Sequence, residues 1–164
     1  MAKIFDYPKT KELCERIFMS FGYEKPEAEQ TTNILLQSDL YGIESHGLQR
    51  MIRYFNDLKA GGIDVHAKPE IVRETPVSAT IDAHRMMGQL VGYEGMKIAI
   101  DKAKKSGIGF VTIKNSNHYG IAGYYAKMAI DEDLFGISMT NSAKNMVPTY
   151  GKRPMIGTNP IAIG

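Results

Sequence analysis

The sequence contains one cysteine, no tryptophan and no long apolar run, and each absence excludes something. With Cys14 alone no intrachain disulfide can form, so the chain does not read as a disulfide-built secreted scaffold. Cys14 falls in the apolar pattern of the first expected helix and is expected to pack there. No stretch approaches the roughly 18 apolar residues that a membrane-spanning helix needs. The segment Met1-Ala2-Lys3-Ile4-Phe5-Asp6 lacks the apolar core of a signal peptide. The expectation is a soluble, cytoplasmic protein with no membrane partner. Charge of one sign is also scarce: 20 basic and 18 acidic residues leave a net +2. The one basic cluster, Lys102-Ala103-Lys104-Lys105, closes an expected helix, where cations suit the dipole. A nucleic-acid partner is therefore not expected.

Several motifs are missing as well. No G-x-G-x-x-G occurs, since Gly107-Ile108-Gly109 lacks the third glycine and leads into residues that read as strand. There is no G-x-x-x-x-G-K-[ST] phosphate loop and no Cys/His set with zinc spacing. The four histidines (His46, His66, His84 and His118) show no i, i+4 pair. A Rossmann enzyme, a P-loop NTPase and a zinc module are thereby disfavoured, and no metal site is expected.

What remains is an ordinary globular composition, 43% hydrophobic and 23% charged over 164 residues, enough for one domain or one and a half small ones. The first part reads as helices. Residues 9–21 put Leu13, Ile17, Phe18 and Phe21 on one face, with Gly22 as the stop. Pro26 opens a second helix with Ile34, Leu35 and Leu40 as apolar anchors. A third is expected to open near Ser45, bury Leu48, Met51, Ile52 and Phe55, and end at Gly61-Gly62. Residues 70–74 and 77–82 then read as two strands, 88–105 as a helix, and 107–113 as a strand covered on both faces. A helix over 121–131 and a strand over 134–140 follow. The terminal 157–164 reads as a strand still running where the chain stops, which predicts a fragment with an open, self-associating edge at 161–163. Strands alternating with helices indicate an α/β architecture. The division expected is a helical lobe over 1–65 and an incomplete α/β nucleotide- and substrate-binding region over 66–164.

Two histidine motifs carry the functional reading. His118, in Asn115-Ser116-Asn117-His118-Tyr119-Gly120, lies between an expected strand and an expected helix, at the kind of sheet edge where ligands gather. A helix N-terminus disfavours imidazolium, so a neutral His118 there can accept a proton from an alcohol. The plain alternative is a histidine that caps the helix. Ser45-His46 precedes Gly47, with Ser45 either orienting His46 or only capping; a capping box is missing because Leu48 stands where Glu or Gln belongs. Arg50 and Tyr54 are four apart and share a helix face. Arg50 offers a fork for a carboxylate, or else is a solvated surface charge. Thr140-Asn141-Ser142 and Gly157-Thr158-Asn159-Pro160 are small polar clusters that suit either a ligand or a turn.

These residues also carry a resemblance. Asp39-Leu40-Tyr41-Gly42-Ile43-Glu44-Ser45-His46-Gly47 with Arg50 and Tyr54 resembles the N-terminal signature of the non-Rossmann malate/L-lactate dehydrogenase family. That family also holds ureidoglycolate, sulfolactate and 2,3-diketogulonate oxidoreductases and cyclic-imine reductases. The likeness continues through Gly88-Gln89, Ser116-Asn117-His118-Tyr119-Gly120, Thr140-Asn141-Ser142 and Gly157-Thr158-Asn159-Pro160, in order along the chain.

The resemblance implies a mixed α/β fold of the sulfolactate-dehydrogenase type, and hydride transfer between NAD or NADP and C2 of a small 2-hydroxy or 2-oxo acid, malate or lactate first. It implies that Arg50 clamps the substrate carboxylate with Tyr54 assisting. The acid/base is His118 in one account, which we prefer, or His46 with Ser45 as relay in another; His118 also touches substrate. Cofactor contacts are implied at Tyr119, Gly120, Ile121, Ala122, Ser142, Thr158, Asn159 and Pro160. The family implies a homodimer and chains longer than this one. A non-catalytic fragment or oligomerisation module, and a cyclic-imine or ureidoglycolate oxidoreductase, stand as alternatives.

Overall fold

The structure, a computed structural model, describes residues 4–164. Helix α1 (Tyr7–Ser20) starts where the Asp6 carboxylate accepts the Lys9 N–H at 3.1 Å, and Pro8 occupies the first turn, where its missing N–H costs nothing. Helix α2 (Lys25–Leu40) opens with the Glu24 N–H donating to the Glu27 carboxylate at 3.0 Å. Two 3₁₀ turns, Glu44–His46 and Leu48–Arg50, then lead into α3 (Met51–Lys59). The helix expected to open at Ser45 therefore opens at Met51. Gly47, extended at ψ −145°, interrupts the helical path between the two turns.

That later start sets which residues α3 buries. Leu48, Met51 and Leu58 pack on the core and Tyr54 is fully buried, whereas Ile52 (72% exposed) and Phe55 (41%) face outward, against expectation. Leu13 (54%) and Leu40 (60%) are likewise exposed. In α1 the buried stripe runs through Cys14 and Phe18 instead.

Strands β1 (Glu70–Glu74) and β2 (Ser78–Asp82) pair antiparallel, and β3 (Phe110–Lys114) pairs parallel to β2 after the long crossover helix α4 (Gly88–Ser106). Parallel neighbours require such a crossover. The sheet order β1-β2-β3 leaves β3 at an edge. Its residues alternate between exposed and half-buried, with Phe110 58% exposed, so β3 is covered on one face and not two. The core joins Phe18 of α1, Tyr23 of the turn after it and Leu35 of α2 to Ile81 of β2, Met87 at the cap of α4 and Val91 within it. The expected boundary at 65/66 falls inside this shared core. The chain's two compact units divide after Ile121.

The second unit, Ala122–Gly164, contains α5 (Ala122–Ile130) and the antiparallel pair β4 (Ile137–Met139) and β5 (Ile161–Ile163). Gly136 and Gly164 exchange backbone hydrogen bonds at 2.7 and 2.9 Å beyond the last strand pair. Ile137, Met139, Ile161 and Ile163 remain exposed on this ribbon while Ser138 is buried. No helix among the described residues is long and apolar enough to cross a membrane. The architecture is mixed α/β.

Candidate active site

The first unit brings His118 into place by anchoring the loop after β3. The Asp82 carboxylate, at the end of β2, accepts from the His84 N–H and the Asn115 amide at 3.0 Å, and the Lys114 ammonium lies 3.0 Å away. These partners hold the Asp82 carboxyl well below the usual carboxylate range. Arg85 and Asn115 both adopt left-handed backbone (φ 70° and 54°), and the Arg85 N–H donates to the Asn115 carbonyl at 2.8 Å. The Asn117 amide donates toward three carbonyls, those of Gly62, Arg85 and Met86, at 2.8 to 3.2 Å.

One glycine completes the fit. A Cβ on Gly88, the first residue of α4, would lie 2.2 Å from the Asn117 carbonyl oxygen and 2.4 Å from that of His118. Only glycine lets the helix start approach the His118 backbone so closely.

His118 is half-buried, and its Nδ1 lies 2.8 Å from the Tyr54 hydroxyl and 3.3 Å from the Gly120 backbone N. The Tyr54 oxygen in turn accepts from Gln89 Nε2 at 2.7 Å. Burial, then the nearby charges of Arg53, His46 and Arg50, push the His118 imidazolium down to about 4, so the ring is neutral at physiological pH. Burial drives the Tyr54 phenol up to about 12 against the pull of Gln89, so it keeps its proton.

His46 stacks on His118, with ring centroids 5.4 Å apart and 28° between planes. Its Nδ1 sits 2.9 Å from the exposed Ser45 hydroxyl. Burial and the Arg50 charge lower its pKa as well. The turn carrying it is pinned by Asp39, whose carboxylate accepts the Leu48 N–H at 2.7 Å. A Cβ on Gly47 would lie 2.0 Å from that carboxylate, so a side chain here would displace Asp39 from the Leu48 N–H. Burial raises the Asp39 pKa, against the lowering effect of the Leu48 N–H.

Arg50 is half-buried and its Nε donates to the Ser45 carbonyl. No carboxylate among the described residues pairs with it, whereas neighbouring Arg53 meets Asp57 at 3.3 Å. A partly desolvated guanidinium with no counter-ion, beside two neutral imidazoles, is equipped to hold a small carboxylate while a proton moves.

The structure brings Ser45, His46, Arg50, Tyr54 and His118 together. Tyr54 is fully buried, so its hydroxyl reaches His118 and Gln89 instead of an open surface. Of the turn that follows, Tyr119 is half-buried and Gly120, Ile121 and Ala122 are buried. Ser142, Thr158, Asn159 and Pro160 belong to the second unit and form a knot there. The Thr158 N–H donates to the Ser142 hydroxyl at 2.9 Å, and the Ser142 N–H donates to Asn159 Oδ1 at 2.9 Å. Pro160 supplies its carbonyl to the Thr140 N–H at 3.3 Å. This knot spends the Ser142 hydroxyl and the Asn159 carbonyl within the chain. Among the described residues no bond occupies the exposed Asn159 amide nitrogen, a free donor that fits a polar cofactor group.

Gln89, Asp39 and Asn117 also build the site, although sequence reasoning gave them no role. The available signal was a polar side chain, Gln89, in the otherwise apolar first turn of α4. Cys14, by contrast, is buried with its thiol pushed up to about 11, the mark of an inert packing residue.

Fold and site together define a mixed α/β protein whose described residues place an imidazole pair beside a guanidinium with no carboxylate partner, and whose sequence has no dinucleotide-binding glycine loop. The chain belongs to the malate/L-lactate dehydrogenase family, whose model matches residues 5–164. It is 49% identical over 148 residues to a malate dehydrogenase of Pyrococcus abyssi, covering 90% of this chain and 41% of that one. It is 43% identical to a malate/(S)-sulfolactate dehydrogenase of Methanothermus fervidus, covering 93% and 45%. The fold superposes on the crystal structure of malate dehydrogenase from Entamoeba histolytica with a TM-score of 0.95 at 39% identity, covering 100% of this chain and 46% of that one. The chain thus spans less than half the length of these relatives.

Proposed function

We propose that the protein is an NAD(P)-dependent oxidoreductase moving a hydride between nicotinamide and C2 of a small 2-hydroxy or 2-oxo acid, malate or lactate foremost. The observation that carries this is Arg50, half-buried and without a carboxylate partner beside the stacked His46 and His118. The names of the malate and sulfolactate relatives point to the same class of acids.

In this reading the Arg50 guanidinium holds the substrate carboxylate through parallel N–H···O bonds and fixes C2 in place. The bound nicotinamide dinucleotide supplies or removes the hydride, which is the difficult part of the chemistry. In oxidation, the C2 hydroxyl loses its proton to a neutral imidazole of the pair as the C2 hydride leaves; in reduction the same proton returns. His118 or His46 carries that proton, with Ser45 hydrogen-bonded to His46 Nδ1 as its relay partner. We place cofactor contacts at Tyr119, Gly120, Ile121 and Ala122 and, separately, at Ser142, Thr158, Asn159 and Pro160.

We extend the proposal to a cytoplasmic homodimer. A single buried thiol suits a reducing compartment, and the exposed apolar residues of β4 and β5 suit coverage by protein.

The test is ligand linkage. Saturating NADH or NADPH should raise the melting temperature of this chain or of the longest product of its gene, because a ligand bound only to the folded state stabilises it. No shift from either cofactor in either product would contradict the proposal and favour a non-catalytic module.

A further inference from the structure

We propose that Gln89 is a positioning residue: acting through Tyr54, its amide fixes His118 in the neutral tautomer that carries hydrogen on Nε2. The inference rests on the oxidoreductase reading for its consequence, but not for its geometry.

The argument is one of direction along a hydrogen-bond chain. His118 Nδ1 has two neighbours, the Tyr54 hydroxyl at 2.8 Å and the Gly120 backbone N–H at 3.3 Å. A backbone N–H can only donate, which favours an accepting Nδ1, but at 3.3 Å the contact is too long to enforce that role without the Tyr54 hydroxyl. An accepting Nδ1 carries no hydrogen, and the Tyr54 hydroxyl points its own hydrogen at it. With that hydrogen committed, the Tyr54 oxygen is left as an acceptor, and Gln89 Nε2 donates to it at 2.7 Å. Every link runs toward His118. The chain ends on two donors, the Gln89 amide NH₂ and the Gly120 backbone N–H, and only a turn of the whole buried amide could exchange the first for an acceptor. The ring hydrogen of a neutral His118 is therefore on Nε2.

This arrangement carries a cost at Gln89, set against the Gly120 N–H bond to His118 Nδ1 that it preserves. The residue is fully buried, and its Oε1 has no hydrogen-bond partner among the described residues. Turning the amide over would give Oε1 the Tyr54 hydroxyl. It would also force Nδ1 to donate, setting its hydrogen against the Gly120 N–H. The fold keeps the orientation that leaves one acceptor unsatisfied and the direction of the chain intact. Tyr54 is held at the same depth, so neither member of the pair can exchange its partner for solvent.

The consequence separates the two histidines. Locked with hydrogen on Nε2, His118 acts at the C2 oxygen as a neutral hydrogen-bond donor. His46 is not locked, because its Nδ1 faces the Ser45 hydroxyl, which can donate or accept. Proton exchange with the substrate then belongs to His46, and His118 stabilises the charge that develops on oxygen.

The experiment is nitrogen-15 NMR of the histidine side chains in the full-length protein, near neutral pH, for wild type, Gln89→Leu and Gln89→Glu. Wild type should show His118 with hydrogen on Nε2 alone. Gln89→Leu, which removes the donor to Tyr54, should give a mixture of tautomers. Gln89→Glu, whose carboxylate can only accept, should turn the Tyr54 hydroxyl away and move the His118 hydrogen to Nδ1. Both variants should lower kcat more than they raise KM. A wild-type His118 with hydrogen on Nδ1, or an unchanged tautomer in both variants, would overturn the proposal, and the wild-type spectrum decides the tautomer even where a variant fails to fold. NADH-linked turnover is followed on the same samples. Loss of that activity from wild type with the tautomer as stated overturns the oxidoreductase reading alone. Turnover with a mixed wild-type tautomer overturns the role of Gln89 alone.

Discussion

The rings of His46 and His118 lie 5.4 Å apart and within 28° of parallel, so neither can take a charge without the other feeling it. His118 is the more perturbed, its pKa driven down to about 4 from 6.5 mainly by burial. A histidine lowered in the folded state binds fewer protons than in the unfolded state between those two values. Stability should therefore be fully present above about pH 6.5 and be lost as pH falls toward 4. Because the ring is partly exposed, the loss is on the order of 1–2 kcal/mol. Denaturant titrations across this range should show that slope in wild type and a shallower one in His118→Gln. Equal slopes would mean His118 is not held neutral by the fold.

Arg50→Lys keeps the charge but loses the fork that grips a carboxylate in two places. With roughly 1.5–3 kcal/mol for a hydrogen bond to a charged group, KM for the acid should rise about tenfold or more. Steady-state kinetics with unchanged KM and turnover would remove Arg50 from the role of clamp.

Within the candidate site, close approach of backbone makes Gly88 a position where a single added methyl group does harm. Gly88→Ala puts a Cβ 2.2 Å from a backbone oxygen that cannot swing aside, so stability should drop by about 1–3 kcal/mol and His118 should shift with the loop. Gly123→Ala is the matched control, since a Cβ there meets nothing within 4 Å inside helix α5. It should be neutral or stabilise by up to about 1 kcal/mol, by helix propensity. Thermal melts that rank the two variants the other way would contradict the packing described.

Thr31 and Thr32 are fully buried in α2, and neither hydroxyl has a hydrogen-bond partner among the described residues. A buried hydroxyl without a partner costs about 1–3 kcal/mol, and valine has nearly the same shape. Thr31→Val and Thr32→Val should each raise the melting temperature. A fall in both would mean the hydroxyls are satisfied by bonds the structure lacks.

Helix and strand positions were largely legible because the chain marks them with local chemistry. Asp6 and Pro8 start α1, Pro26 sits at the start of α2, and Thr75-Pro76 separates β1 from β2. The phase of α3 was not legible. Ile52 and Phe55 are the more apolar residues, yet Tyr54 is buried, because its hydroxyl has partners 35 and 64 positions away, in Gln89 and His118. The burial of β3 was misjudged for a similar reason. A run of apolar residues at 107–113 does not tell which strand ends at the sheet edge, and that is settled by pairing with β2 alone. The candidate residues around His118 could be named from their order in the chain. Their wiring through Gln89, and the anchoring of the loop by Asn117 and Gly88, depend on contacts between segments that no local pattern encodes.

The central claim is that this site transfers a hydride to and from a small carboxylic acid, and turnover tests it most directly. NADH and NADPH oxidation should be followed with oxaloacetate, pyruvate, 3-sulfopyruvate and a cyclic imine, on this chain and on the longest product of its gene. His46→Ala, His118→Ala and Arg50→Lys should run beside wild type. The account predicts turnover with at least one 2-oxo acid that is lost in His46→Ala and impaired in the other two variants. No turnover of any 2-oxo acid by either product, or turnover indifferent to all three substitutions, would contradict it.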